Sequence, residues 1–137
     1  MSVKKILAID DERDLCRIIK RYLESTGEYE VSTAFSGEEG VEKFKASRFD
    51  LVITDFKLPG MDGGAVLEAV LEIEPETPVI LFSIYNDDCS TVTSGVVARA
   101  AGIVRKPFHY EQLLNAVEKA LRPREEGGQD SGGEGGE

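Results

Sequence analysis

Short, mostly apolar runs alternate with amphipathic stretches along most of this chain. Ile6–Ile9, Tyr29–Phe35, Leu51–Thr54, Val79–Phe82 and Ile103–Arg105 read as strands, with the composition expected of parallel strands buried on both faces. From Glu12 to Thr26, Leu15, Ile18, Ile19, Tyr22 and Leu23 recur at helical spacing, which predicts one inward face before a stop at Gly27. Ser36 and Glu39 have the form of a capping box, each side chain satisfying the other residue's free N–H, and Val41 and Phe44 then point inward. Asp62 is the expected N-cap of a third helix, which carries Val66, Leu67, Val70 and Leu71 and ends before Pro75. A fourth helix between Ser90 and Ala101 is the weakest, because Thr91, Val92, Thr93, Gly95, Val96 and Val97 mix β-branched residues with glycine. That low propensity makes residues 85–101 the expected mobile region. A last helix holds Leu113, Leu114, Val117 and Leu121. The alternation predicts an α/β fold of five parallel strands and five helices.

A length of 137 residues suits one domain. Composition changes after Leu121: the remainder holds six of the fourteen glycines, five acids and two arginines, with no large apolar residue beyond Pro123. Such a segment buries too little surface to offset its ordering entropy, so residues 1–121 are the expected domain and 122–137 a disordered tail. The net charge of −10 argues against a nucleic-acid surface, which needs clustered Lys and Arg. No apolar stretch approaches the roughly 20 residues that span a bilayer, and the start from Met1 to Lys5 lacks a signal pattern, so a cytoplasmic protein is expected. Cys16 and Cys89, in a helix and a loop, fit neither a disulfide framework nor a metal motif and read as free thiols.

Polar residues close four of the five runs: Asp10 with Asp11, then Asp55, Ser83 and Lys106. In an open parallel sheet the carboxyl ends of the strands share one edge, where ligands bind. Three carboxylates, a hydroxyl and an ammonium at that edge suit a divalent cation together with a phosphoryl group. Asp55 is a carboxylate able to attack phosphorus and become an acyl phosphate. Charge gathers between nucleophile and phosphoryl oxygens in such a transfer, which calls for a hard cation such as Mg²⁺, with Asp11 and Asp55 as its carboxylates. Lys106 supplies a point charge for a phosphoryl oxygen and, without metal, relieves repulsion among the acids. Singly, Asp10 and Asp11 are ordinary helix caps, Ser83 a turn residue and Lys106-Pro107 a loop; their joint occurrence at strand ends is what favours a site. His109, the one histidine, opens the last helix and reads as a solvated residue rather than a phosphodonor. Glu72, Glu74 and Glu76 read as a solvated face and loop.

Taken together, Ile6–Glu12, Leu51–Gly63, Pro78–Ser83 and Lys106–Phe108 resemble the receiver domain of bacterial response regulators, over residues 3–121. The resemblance implies a flavodoxin-like, doubly wound (βα)5 fold with strand order 2-1-3-4-5. It implies phosphorylation of Asp55 from the phosphohistidine of a histidine kinase or phosphotransfer protein, and no catalysis beyond the domain's own phosphorylation and dephosphorylation. Mg²⁺ (Mg2+) would be held by Asp11, Asp55 and the backbone carbonyl of Lys57, with Asp10 on a metal-bound water or behind the ligands, and Pro107 would follow a cis peptide. The Ser83 hydroxyl would turn toward the phosphoryl group and alter the surface of the fourth helix, fifth strand and last helix for a downstream protein target. A monomer, or a weak homodimer through that surface, is expected, whether the domain stands alone, relays phosphoryl groups or belongs to a longer chain. Two positions depart from the family pattern. Ile84, followed by Tyr85, stands where a small residue leaves a passage to the site, and Ile103 stands where Tyr or Phe swings inward, so the usual hydroxyl-and-aromatic coupling cannot operate in that form. An aspartate-nucleophile phosphohydrolase shares the carboxylate chemistry but places a second Asp where this chain has Lys57; a degenerate receiver that binds partners without phosphorylation is disfavoured by Asp11, Asp55 and Lys106.

Overall fold

The computed structural model describes residues 3–84 and 99–122, with Ile84 described by its backbone alone. Its elements are β1 (Lys4–Ile9), α1 (Arg13–Glu24), β2 (Tyr29–Ala34), α2 (Gly37–Ala46), β3 (Leu51–Asp55), α3 (Gly63–Ile73), β4 (Val79–Ile84), β5 (Gly102–Lys106) and α4 (Tyr110–Leu121). All strand pairs are parallel, and the order is β2-β1-β3-β4-β5, as expected. The helix expected from Ser90 lies outside the described residues up to position 98, as do Cys89 and the tail from Pro123; the described residues 99–101 form a turn in which the Ala101 N–H donates to Val79 O at 2.7 Å.

Because side chains alternate along a strand, β1 to β4 each feed two cores. Ile6, Ala8, Ile53, Ile80 and Phe82 pack with Ile19 and Leu23 of α1 and with Leu113 and Val117 of α4. Leu7, Ile9, Val52, Val79 and Leu81 pack with Val41 and Phe44 of α2 and with Val66, Leu67, Val70 and Leu71 of α3. Among the described helices, α1 and α4 thus lie on one face of the sheet and α2 and α3 on the other.

The inward face of α1 differs from expectation. Cys16, Ile19 and Leu23 are buried, whereas Ile18 is 43% exposed and Tyr22 38% exposed. The buried stripe follows 16-19-23, so the successive 100° steps of the helix carry positions 18 and 22 past the core toward α4, where the rings of Tyr22 and Tyr110 meet at 4.6 Å. Cys16 takes the inward place; burial foremost pushes its thiol up to about 11, which makes it an inert core group. The capping box at α2 is also displaced by one residue: Ser36 Oγ accepts the Glu39 N–H at 3.0 Å, but the Glu39 carboxylate accepts the N–H of Phe35, not of Ser36. Asp62 caps α3 as expected, accepting the Ala65 N–H at 2.9 Å. No described helix is long and apolar enough to cross a membrane.

Candidate functional site

Parallel register delivers the predicted polar residues to one edge. Asp10 follows β1 and donates its N–H to Ala34 O at 3.0 Å. Asp55 ends β3 opposite Phe82, Ser83 comes next on β4, and Lys106 ends β5 opposite Ile84. Asp10, Asp55 and Ser83 are buried, while Asp11 is exposed at the mouth. Asp10, Asp11 and Asp55 each offer a carboxylate oxygen within 4.8 Å of the others. Three hard oxygen donors so gathered, one open to solvent, fit a cation that keeps part of its water shell, as Mg²⁺ does.

Lys106 holds the edge together. Its Nζ donates to Asp10 Oδ2 at 2.9 Å and lies 3.4 Å from Asp55 Oδ1 and 3.8 Å from Glu12 Oε1. The other oxygen of Asp10 accepts the Glu12 N–H at 2.9 Å, so this aspartate both fixes the turn into α1 and anchors the lysine. Burial alone would lower the Lys106 ammonium, but the hydrogen bond to Asp10 and the charges of Asp10 and Asp55 hold it above its ordinary range. Asp55 goes the other way for a carboxylate: burial first, then the charge of Asp10, push it up to about 6 against the pull of Lys106. One ammonium shared among several acids leaves the site short of positive charge.

The remaining predicted positions fall as follows. The Lys106–Pro107 peptide is cis. Lys57 is exposed on the loop between β3 and α3, flanked by the buried Phe56 and Leu58. Ile103, on β5, pairs with Leu81 of β4 and is 47% exposed. The Ile84 side chain and Tyr85 lie outside the described residues. His109 is the exposed N-cap of α4, its N–H donating to Gln112 Oε1 at 2.7 Å.

Two contributors escaped the sequence reading. Glu12 reaches Lys106 although it belongs to the start of α1, and only the fold brings them together. Gly63 begins α3 directly against the strand tip: a Cβ there would collide with the Asp55 carbonyl oxygen, while its own N–H donates to Phe56 O at 2.8 Å. Its signal was available as Gly63-Gly64 in the first turn of a helix, where glycine is a poor helix former and needs another reason to be present.

Residues 6–118 match the response regulator receiver domain family. The chain is 34% identical over 122 residues to the uncharacterized transcriptional regulatory protein YkoG of Bacillus subtilis (strain 168), covering 89% of this chain and 53%, about half, of that protein. It is 30% identical over 119 residues to the response regulator receiver protein CpdR of Brucella abortus (strain 2308), covering 87% of this chain and 98% of the other. The structure of the chemotaxis protein CheY4 of Vibrio cholerae superposes with a TM-score of 0.79 at 30% identity, over 88% of this chain and 100% of that one. The matched span runs from the first strand into the last helix and contains every residue of the polar edge, and on these grounds the chain belongs to the family of response regulator receiver domains.

Proposed function

We propose that this receiver domain accepts a phosphoryl group on Asp55 from the phosphohistidine of a histidine kinase or phosphotransfer protein in the cytoplasm, and passes the signal to a downstream protein by surface contact. The observation that carries this reading is Asp55 itself: a buried carboxylate at the tip of the central strand, beside two other acids, sharing a single lysine. With its carboxyl near 6, Asp55 is ionised at neutral pH and able to act as a nucleophile. An Asp55 carboxylate oxygen forms the new bond to phosphorus, the bond from phosphorus to the imidazole nitrogen breaks, and that nitrogen keeps the electron pair. Lys106, now divided between Asp10 and Asp55, pairs with a phosphoryl oxygen once the Asp55 charge is taken up in the acyl phosphate. Asp11, Asp55 and the Lys57 carbonyl would hold Mg²⁺, with Asp10 behind them, and the bound ion would neutralise charge on the phosphoryl oxygens. Ser83 stands next to the site on β4, and its hydroxyl is the group to respond to the new charge. Ile103 has neither ring nor hydroxyl and already faces solvent, so the signal leaves through Ser83 and not through position 103.

Incubation with acetyl phosphate and Mg²⁺ is expected to add one hydroxylamine-labile phosphoryl group by intact-mass spectrometry, and Asp55→Asn to add none. Labelling that persists in Asp55→Asn, or that maps to His109, would overturn the reading.

A further inference from the structure

The outer edge of β2 is the open side of the sheet beyond β1, and its backbone is not left to water. Ala34 O is bonded inward, to the Asp10 N–H, and alternation turns the backbone groups of Tyr29, Val31 and Thr33 outward. Glu24 of α1 accepts the Val31 N–H at 3.0 Å, and Lys20 of α1 donates to Val31 O at 2.8 Å. From α2, on the opposite face of the sheet, Lys43 donates to Thr33 O at 2.6 Å. Each lysine is also tied to an acid one turn along its own helix, Lys20 to Glu24 at 2.9 Å and Lys43 to Glu39 at 3.6 Å. Charged side chains from both faces thus close the edge at its centre.

We propose that the β2 edge is a latent pairing surface for a second copy of this chain, held shut by Glu24, Lys20 and Lys43. An uncovered strand edge pairs with another strand, and the segment Tyr-Glu-Val-Ser-Thr-Ala from Tyr29 to Ala34 is rich in β-branched and aromatic residues. It is also compatible with itself. A two-fold axis at Val31 sets the strands antiparallel and places Tyr29 opposite Thr33 and Glu30 opposite Ser32, so that no like charges face each other. Removing the side-chain lid would then join two sheets into one. This inference does not depend on phosphorylation of Asp55.

The test is sedimentation of the full chain with Lys20→Ala, Glu24→Ala and Lys43→Ala combined, together with amide hydrogen exchange. All three side chains are partly exposed, so truncation spares the core, and circular dichroism checks the fold. The triple variant is expected to dimerise at a concentration at least tenfold below the parent, with the Val31 and Thr33 amides protected in the dimer and exchanging after dilution. Glu24→Gln keeps an acceptor facing the Val31 N–H and is expected to behave as the parent. A triple variant no more associated than the parent, a dimer in which those amides exchange freely, or Glu24→Gln associating as readily as the triple variant would each overturn the proposal.

Discussion

Two carboxylates in this chain sit beside a lysine and are displaced in opposite directions. Glu24, on the surface of α1, lies below its ordinary range because the Val31 backbone N–H donates to it, with help from Lys20. Asp55 rises to about 6 because burial outweighs the lysine it shares with Asp10. The chemistry of the two pairs is alike, and what separates them is solvent and the number of acids per ammonium. On the surface a carboxylate with one donor and one cation is content; at the strand tips the fold forces a buried acid to remain short of positive charge. A deficit of that kind at the edge of a sheet is what a cation and a phosphoryl transfer site require.

The largest effect is expected from breaking the buried side of this comparison. Lys106→Ala leaves Asp10 and Asp55 without their common partner, and removal of one member of a buried charge pair costs roughly 3–5 kcal/mol. Urea denaturation at pH 7.5 without Mg²⁺ is expected to show a loss of that order, with added Mg²⁺ restoring more stability to the variant than to the parent. An unchanged midpoint would mean that Lys106 does not compensate the acids.

Asp55→Asn is expected to act with the opposite sign. The folded carboxyl lies near 6 against 3.8 for an unstrained aspartate, so the native state holds the proton more tightly than the unfolded chain. Parent stability therefore falls as pH rises from about 4 to about 6, and the penalty is fully present above that window. The asparagine variant escapes it and gains at most about 3 kcal/mol at pH 7.5 without metal, at about 1.4 kcal/mol per pH unit. The two proteins should converge near pH 4. A variant less stable than the parent at pH 7.5 would show that burial does not set the behaviour of Asp55.

Glu24→Gln sharpens the contrast with the smallest effect. A lowered carboxyl contributes stability above its unfolded value of 4.5, and the contribution disappears as pH falls through the folded value. Since the side chain is 35% exposed, the loss at pH 7.5 is expected to be about 0.5 kcal/mol. The gap should close in acid, whereas that of Asp55→Asn closes through the removal of a penalty. Thermal melts at pH 7.5 and pH 4 separate the two patterns.

The same contrast explains how much of the molecule was legible in the sequence. Strand tips were readable because a polar residue at the end of an apolar run has few other reasons to be there, and Asp10, Asp55, Ser83 and Lys106 all emerge at one edge. The caps at Ser36 and Asp62 are local and were readable too, down to a shift of one residue at Glu39. The strand order came with the family resemblance and not from periodicity. The face of α1 was less legible: Leu15, Cys16, Ile18, Ile19, Tyr22 and Leu23 span more than one face, and only packing against the sheet decides that Cys16 turns in and Ile18 out. A contact between distant parts of the chain, such as Glu12 with Lys106, carries no local pattern.

Carbon-detected NMR titration of the Asp55 carboxyl, with and without saturating Mg²⁺, reads the charge deficit at the strand tips itself. Titration near 6 is expected without metal, with a clear fall when Mg²⁺ is added and loss of that fall in Asp11→Ala. An ordinary value near 3.8 in the absence of metal, or a raised value that Mg²⁺ leaves unmoved, would contradict that deficit.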